Sequence, residues 1–281
     1  MNPGDQATGT PAPRLAVIGE TMINIGESGI QTRPAGDSAQ LAIAAAGTGE
    51  SVRVCLATAL GDDPLSDSAV RALGDAGVQT TFIQRLPGEL PAIAVDSGAS
   101  TGPMTWRSGT AIRRMFPVHR GYLRELTTCD SIALTATSIA LLTDAGRKTL
   151  LQLIRDFRNK GKRVALLLGP CPTLWSESES IRELDRCLSA CSIVFAHRRD
   201  LDTVFGALAG DAAIDALHSR GITEVVTWNS LGQVLISNGQ HRTAFISLHP
   251  INRTVLAGRY LGHQLAGHEA ETALEYALAD E

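Results

Sequence analysis

An α/β protein, with a parallel sheet covered by helices on both faces and a smaller accessory sheet, is predicted by three features of the sequence. Strand-like apolar runs alternate with helical segments from Cys129 onward. Shorter strand-like stretches cluster nearer the N-terminus. The length, 281 residues, is ample for one large domain with a sizeable core. Apolar residues make up 44% and charged residues 19%, a balance that excludes a disordered chain. With 25 Lys+Arg against 29 Asp+Glu, no broad basic footprint exists for nucleic acid or an anionic membrane. Apolar runs such as Val164–Leu168 are far too short to span a bilayer. The first dozen residues carry no apolar signal core, so a cytoplasmic location is expected.

Residues 1–13 read as a loose tail and 14–281 as one domain. Leu15–Ile18 is an apolar run ending at Gly19-Glu20, the signature of a buried strand and its turn. The Ala-rich Ser38–Gly47 is helical, and Val52–Ala59 is a strand. Gly61-Asp62-Asp63-Pro64 is a polar turn that opens a helix over Ser66–Ala76. Gln79–Arg85, Ala92–Val95 and Met104–Arg107 are short strands; a lid drawn from about 21–35 and 79–110 is expected. The regular part follows: strand Ser131–Thr135, helix Thr143–Lys160, strand Arg163–Leu168, helix Ser178–Ala190 and strand Ser192–Ala196. Helices near Arg199–Phe205 and Ala212–Arg220, strand Glu224–Trp228, hairpin Val234–Phe245 and a closing helix from about Ile251 complete the chain. Five cysteines are too few, and odd in number, for a disulfide framework. They read as small buried thiols. Cys187 and Cys191 could share a helix face, but no further ligands at zinc spacing lie nearby.

With the elements placed, a series of short motifs becomes legible in order. Ala16-Val17-Ile18-Gly19-Glu20, Arg33-Pro34-Ala35-Gly36-Asp37-Ser38-Ala39-Gln40, Leu60-Gly61-Asp62-Asp63-Pro64, Thr105-Trp106-Arg107-Ser108-Gly109-Thr110-Ala111, Thr227-Trp228-Asn229-Ser230-Leu231-Gly232 and Leu256-Ala257-Gly258 resemble the successive motifs of the PfkB (ribokinase-like) sugar kinases. The likeness is strongest to the 2-keto-3-deoxygluconate kinase branch. It implies a Rossmann-like αβα sandwich with a small β-sheet lid over the sugar, and a homodimer through that lid. It places Asn24, Gly36, Gln40 and Arg107 on the sugar side, with Arg107 facing an acid sugar's carboxylate. Asn229, Gly232, Asn252 and Arg253 fall on the nucleotide and phosphate side.

The same resemblance exposes a gap in the chemistry. Sugar kinases of this kind place a catalytic aspartate and an anion hole in a Gly-rich loop that opens a helix. The matching stretch here is Ser247-Leu248-His249-Pro250-Ile251-Asn252-Arg253, with Arg253 at the aspartate's position. A guanidinium is always protonated and cannot accept a hydroxyl proton. Pro250 has no N–H to offer, and Ile251 resists glycine's dihedrals. No Asp lies between Asp215 and Asp280, so a shift of register does not restore the motif. The family's Asn-x-x-Glu becomes His197-Arg198-Arg199-Asp200. Asp200 is expected to pair with those arginines, with metal binding through water as the alternative.

The expectation from the sequence is therefore a degenerate member of the family, without ATP-dependent phosphoryl transfer and without cofactor. Its cleft would be kept for binding or transforming a small anionic metabolite, with Arg253 and His197 as candidate catalytic groups. Two alternatives stand beside it: an active sugar kinase using ATP and Mg2+ with a base outside the usual loop, and a protein-partner module. Arg253 reads either as a solvated residue after a Pro-opened helix start or as a ligand for an anion. His197, at a strand's C-terminal end, reads either as structural or as a ligand in the cleft. His263 and His268 are expected at the surface, and no metal cluster or Ser-His-Asp triad can be argued from the spacings.

Overall fold

The computed structural model describes residues 11–26, 29–95, 104–106, 109–116, 120–169, 171–206 and 210–279. The expected tail lies for the most part outside them. The chain begins with β1 (Arg14–Ile18), whose alternate residues are buried on opposite faces. Leu15 and Val17 enter one core, Ala16 and Ile18 the other. A strand covered on both sides is a continuous apolar run, which is why Leu-Ala-Val-Ile announces it. Two lid strands follow, β2 (Met22–Gly26) and β3 (Gly29–Ala35), then α1 (Asp37–Ala46), β4 (Arg53–Leu60) and α2 (Pro64–Asp75). Asp63 caps α2 through Oδ1, which accepts from the amides of Leu65 and Ser66 at 2.9 and 3.0 Å. Pro64 occupies the first helical turn, where its missing N–H costs nothing.

Next come β5 (Ile83–Arg85), β6 (Ala92–Val95), β7 (Met104–Trp106) and a 3-10 turn at Ala111–Arg114. The second half runs α3 (Arg120–Leu126), β8 (Ser131–Thr135), α4 (Ala136–Leu141), α5 (Asp144–Asn159), β9 (Arg163–Leu167), α6 (Glu177–Leu188) and β10 (Ile193–His197). It ends with α7 (Arg198–Phe205), α8 (Asp211–Ser219), β11 (Glu224–Trp228), β12 (Gln233–Ser237), β13 (Arg242–Ile246), α9 (Arg253–Leu265) and α10 (Ala270–Ala279).

Among the described residues these strands form a nine-stranded sheet, β13-β12-β11-β10-β9-β8-β1-β4-β5, and a four-stranded sheet, β3-β2-β6-β7. The large sheet is parallel except at the β11-β12-β13 end. One core, with Leu150, Ile154 and Phe157 of α5, lies on one face; the other, with Leu41 of α1 and Tyr260 of α9, lies on the opposite face. Among the described residues no helix is long and apolar enough to cross a membrane.

Three expectations need correction. The Gln79–Arg85 stretch does not belong to the lid. Ile83 pairs with Thr58 in parallel, and buried Phe82 anchors the stretch to the large sheet. The closing helix is two helices, because Gly267, at a φ of 104°, reverses the chain after α9. That return packs α10 over the end of α9 and buries His263.

Candidate active site

In the large sheet the chain moves from β1 to β4 and β5 on one side, then crosses to β8 and its successors on the other. This makes β1/β8 the topological switch point, where a crevice opens at the C-terminal strand ends. Asp37, the first residue of α1, sits there. Its Oδ2 accepts from Thr137 Oγ1, just past β8, at 2.8 Å. The same oxygen accepts from Arg253 Nη2, at the start of α9, at 2.7 Å. Both side chains are partly buried, with 24% and 32% of their surface exposed, so water screens the pair only in part. Arg253 is therefore neither a solvated helix residue nor a lone anion ligand. It is one half of an ion pair.

Two close approaches set this geometry. A Cβ at Gly258 would collide with the Leu41 carbonyl oxygen, and one at Gly262 would lie 2.9 Å from that of Ala45. These glycines, one turn apart, let α9 lie directly on α1. The matched residues rise together along both helices, so the helices are parallel and their N-termini stand side by side. Aligned peptide dipoles there favour a negative ligand. Gly169, after β9, is the second: a Cβ on it would strike the Arg253 guanidinium.

Of the residues expected on the sugar side, Gly36 takes a φ of 98° to turn the chain from lid strand β3 into α1. Gln40 Nε2 donates to the Pro34 carbonyl at 2.6 Å, which ties α1 to that strand. Asn24 is half-buried on β2, in the lid. Arg107 lies outside the described residues. A cavity of about 520 Å3 is bordered by His197, Asn229, Gly232, Ser247 and Ile251, among them two residues expected on the nucleotide side. That volume suits a small organic ligand. Asn229 turns its side chain inward: Oδ1 accepts from the amides of Leu231 and Gln233 at 3.0 and 3.1 Å and holds the β11–β12 turn. Asn252 caps α9, with Oδ1 accepting from the Thr254 amide at 3.2 Å.

His197 caps α7 through Nδ1, which accepts from the Arg199 amide at 3.1 Å. Its ring stands edge-on to Trp228, with centroids 6.3 Å apart. The two neighbouring arginines look elsewhere than expected: Arg198 faces Asp211 at 3.8 Å, and Arg199 donates to Ser230 at 3.4 Å. Burial raises the Asp200 carboxyl above the ordinary range, while the nearby His197 and Arg253 pull it down. The sequence identified the position of Arg253 but missed Asp37 and Thr137. Asp37 stands inside the quoted sugar-side motif, and that motif was the only signal available for it.

Residues 13–252 match the pfkB family carbohydrate kinase model. The chain is 30% identical over 233 residues to the 2-dehydro-3-deoxygluconokinase of Dickeya dadantii (strain 3937), covering 79% of this chain and 75% of that protein. It is 28% identical over 234 residues to the 2-dehydro-3-deoxygluconokinase of Escherichia coli (strain K12), covering 80% and 76%. Its fold superposes on the crystal structure of a PfkB protein from Polaromonas sp. JS666 with a TM-score of 0.83 at 15% identity, over 95% and 94% of the two chains. For a 2-dehydro-3-deoxygluconokinase from Thermotoga maritima the TM-score is 0.77 at 18% identity, over 95% and 92%. The Rossmann-like αβα sandwich with its lid is that of these proteins.

These findings overturn the expectation of a spent kinase. The relatives matched over most of their length are named as kinases, and the loop's arginine does not leave the cleft without a carboxylate. The inference from Arg253 alone took no account of a carboxylate brought to the same place from another helix, Asp37 of α1. By its family match and by its relatives, the chain belongs to the pfkB family of carbohydrate kinases.

Proposed function

We propose that the chain is an ATP-dependent kinase for a small anionic 2-keto sugar acid of the 2-dehydro-3-deoxygluconate type. The observation that carries this reading is the Asp37–Arg253 pair at the switch-point crevice, supported by the relatives' activity. A sugar hydroxyl set against Asp37 gives its proton to that carboxylate as its oxygen attacks the γ-phosphorus of ATP. The bond from phosphorus to the bridging oxygen breaks, and ADP leaves. A positioned base of this kind contributes about 10²–10⁴-fold. Arg253, permanently cationic, turns from Asp37 to the transferring phosphoryl group and so uncovers the base as it neutralises the charge.

ATP occupies the cavity beside Asn229 and Gly232 in this reading. The sugar acid lies under the lid near Asn24, Gly36 and Gln40, with Arg107 as the counter-ion implied by resemblance. Asp200, a carboxylate partly withdrawn from water, would be the residue to hold a hydrated Mg2+ here. The ion would supply charge neutralisation on the ATP phosphates.

The test is ADP release with Mg-ATP and 2-dehydro-3-deoxygluconate, with the phosphorylated product identified by mass spectrometry. Turnover is expected, and Asp37→Asn should lower kcat by about 10²–10⁴-fold with little change in KM for ATP. Absence of phosphorylated product at millimolar substrates, or full activity in Asp37→Asn, overturns the assignment.

A further inference from the structure

A second cluster of polar side chains lies at the other end of α9, about 15 Å of helix from Arg253. Glu50 follows α1, on the way into β4; His263 is in the last turn of α9, and His268 is in the turn to α10. His263 Nδ1 lies 3.3 Å from Glu50 Oε1, and His268 Nε2 lies 2.9 Å from the same oxygen. The three ligand atoms are all within 4.8 Å of one another. His263 is 6% exposed, while His268 and Glu50 are 33% and 30% exposed. Tyr276 of α10 meets both rings edge-on, with centroids 5.3 and 5.1 Å away, and fixes their orientation.

We propose that Glu50, His263 and His268 form a zinc site that clamps the α9–α10 turn to the segment joining α1 and β4. Zinc–nitrogen and zinc–oxygen bonds of about 2.0–2.2 Å in a tetrahedron put neighbouring donors about 3.3 Å apart. The two Glu50–His spacings, 3.3 and 2.9 Å, lie close to that edge, and the third pair of donors is within 4.8 Å. Two imidazoles and one carboxylate favour zinc over magnesium or calcium, which want oxygen alone. With three protein ligands, the fourth position of a tetrahedral site would be left to water. The ion joins three segments, one of them 213 residues away in sequence from the next. It stabilises the face of the fold opposite the cleft. Its function is structural and does not depend on the kinase assignment.

The experiment uses the full chain, freed of metal by chelation and titrated with Zn2+ against a chromophoric competitor. One ion per chain is expected. At a hundred-fold excess of free Zn2+ over its Kd, Tm should rise by about 5 °C. His268→Gln and Glu50→Gln, at partly exposed positions that tolerate change, should each weaken binding by about 100-fold or more. His241→Gln, at an exposed histidine elsewhere, should leave it unchanged. Co2+ in place of Zn2+ should show ligand-field bands without a thiolate charge-transfer band. Absence of stoichiometric binding, unchanged affinity in both site variants, or a thiolate spectrum from the buried cysteines overturns the proposal.

Discussion

The contact between α1 and α9 sets the distance from Asp37 to Arg253, and Gly258 is where it can be tested most sharply. In Gly258→Ala the new methyl meets the Leu41 carbonyl oxygen, the Ala44 Cβ at 2.8 Å and the Ala45 amide nitrogen at 3.0 Å. Two of those three atoms are backbone and cannot rotate away. Overpacking of this kind costs about 1–3 kcal/mol, and backbone obstruction argues for the upper end. Against this, alanine is favoured over glycine inside a helix by about 1 kcal/mol. A net loss of about 2 kcal/mol remains. For 281 residues the unfolding entropy is about 0.6 kcal/mol/K, so Tm should fall by about 3 °C. Gly74→Ala is the matched control. Gly74 is also helical, but nothing lies within 4 Å of its Cβ position. The propensity gain stands alone there, and Tm should rise by about 1–2 °C. Both shifts are measured by calorimetry and by denaturant midpoint. Because Gly258→Ala also pushes the helices apart, kcat should fall in that variant and not in Gly74→Ala. If Gly258→Ala is as stable as the parent, the helices are not held at contact distance and the account of the cleft is wrong.

Two further outcomes follow from the cleft. Gly169→Ala drives a methyl into the far end of the Arg253 side chain, which can swing aside. Stability should therefore change by under about 1 kcal/mol while kcat falls several-fold; unchanged kcat would show that Arg253 need not occupy its observed place. Burial raises the Asp200 carboxyl in the native state, so its contribution is intact below the ordinary aspartate range of about 3.9 and is lost as pH rises through the native value. Asp200→Asn should thus match the parent in acid and exceed it in stability toward neutral pH, measured by denaturant midpoints across that range; a variant less stable at pH 7 would reverse the sign.

Much of the fold was legible because local chemistry announced it. Asp63-Pro64 reads as a helix start, and the structure caps α2 there with the Asp63 carboxylate. The largely buried strands β8, β9 and β10 are short apolar runs, and their limits move by only a residue. Three features were hidden for identifiable reasons. α4 follows β8 without a spacer and all six of its residues are buried, so no periodicity separates it from the strand. Arg85 and Gln84 carry no mark of which sheet Ile83 joins; the bond pattern to β4 decides it. His263 is polar on a helix and reads as surface, yet it is buried by α10, a helix that sequence did not resolve from α9.

The site divides along the same line. Position-by-position resemblance located Arg253, because a motif is local. It did not locate the group facing Arg253, because that group is 216 residues away and arrives through helix packing. The correspondence between α1 and α9 shows how. Asp37 meets Arg253, Leu41 meets Gly258, and Ala45 meets Gly262, so the two helices keep one register from the crevice to the far edge of the sheet. In such a pair the first residues of the two helices share one small volume, and a carboxylate at the head of either is offered to the same space. Placing arginine on α9 and aspartate on α1 keeps one acid and adds one cation at that spot. Judging the cleft by α9 alone counts only the cation. In the proposed reaction the chemistry belongs to the pair of helix starts, and the glycines that hold them together are as much a part of that site as the side chains they bring into contact.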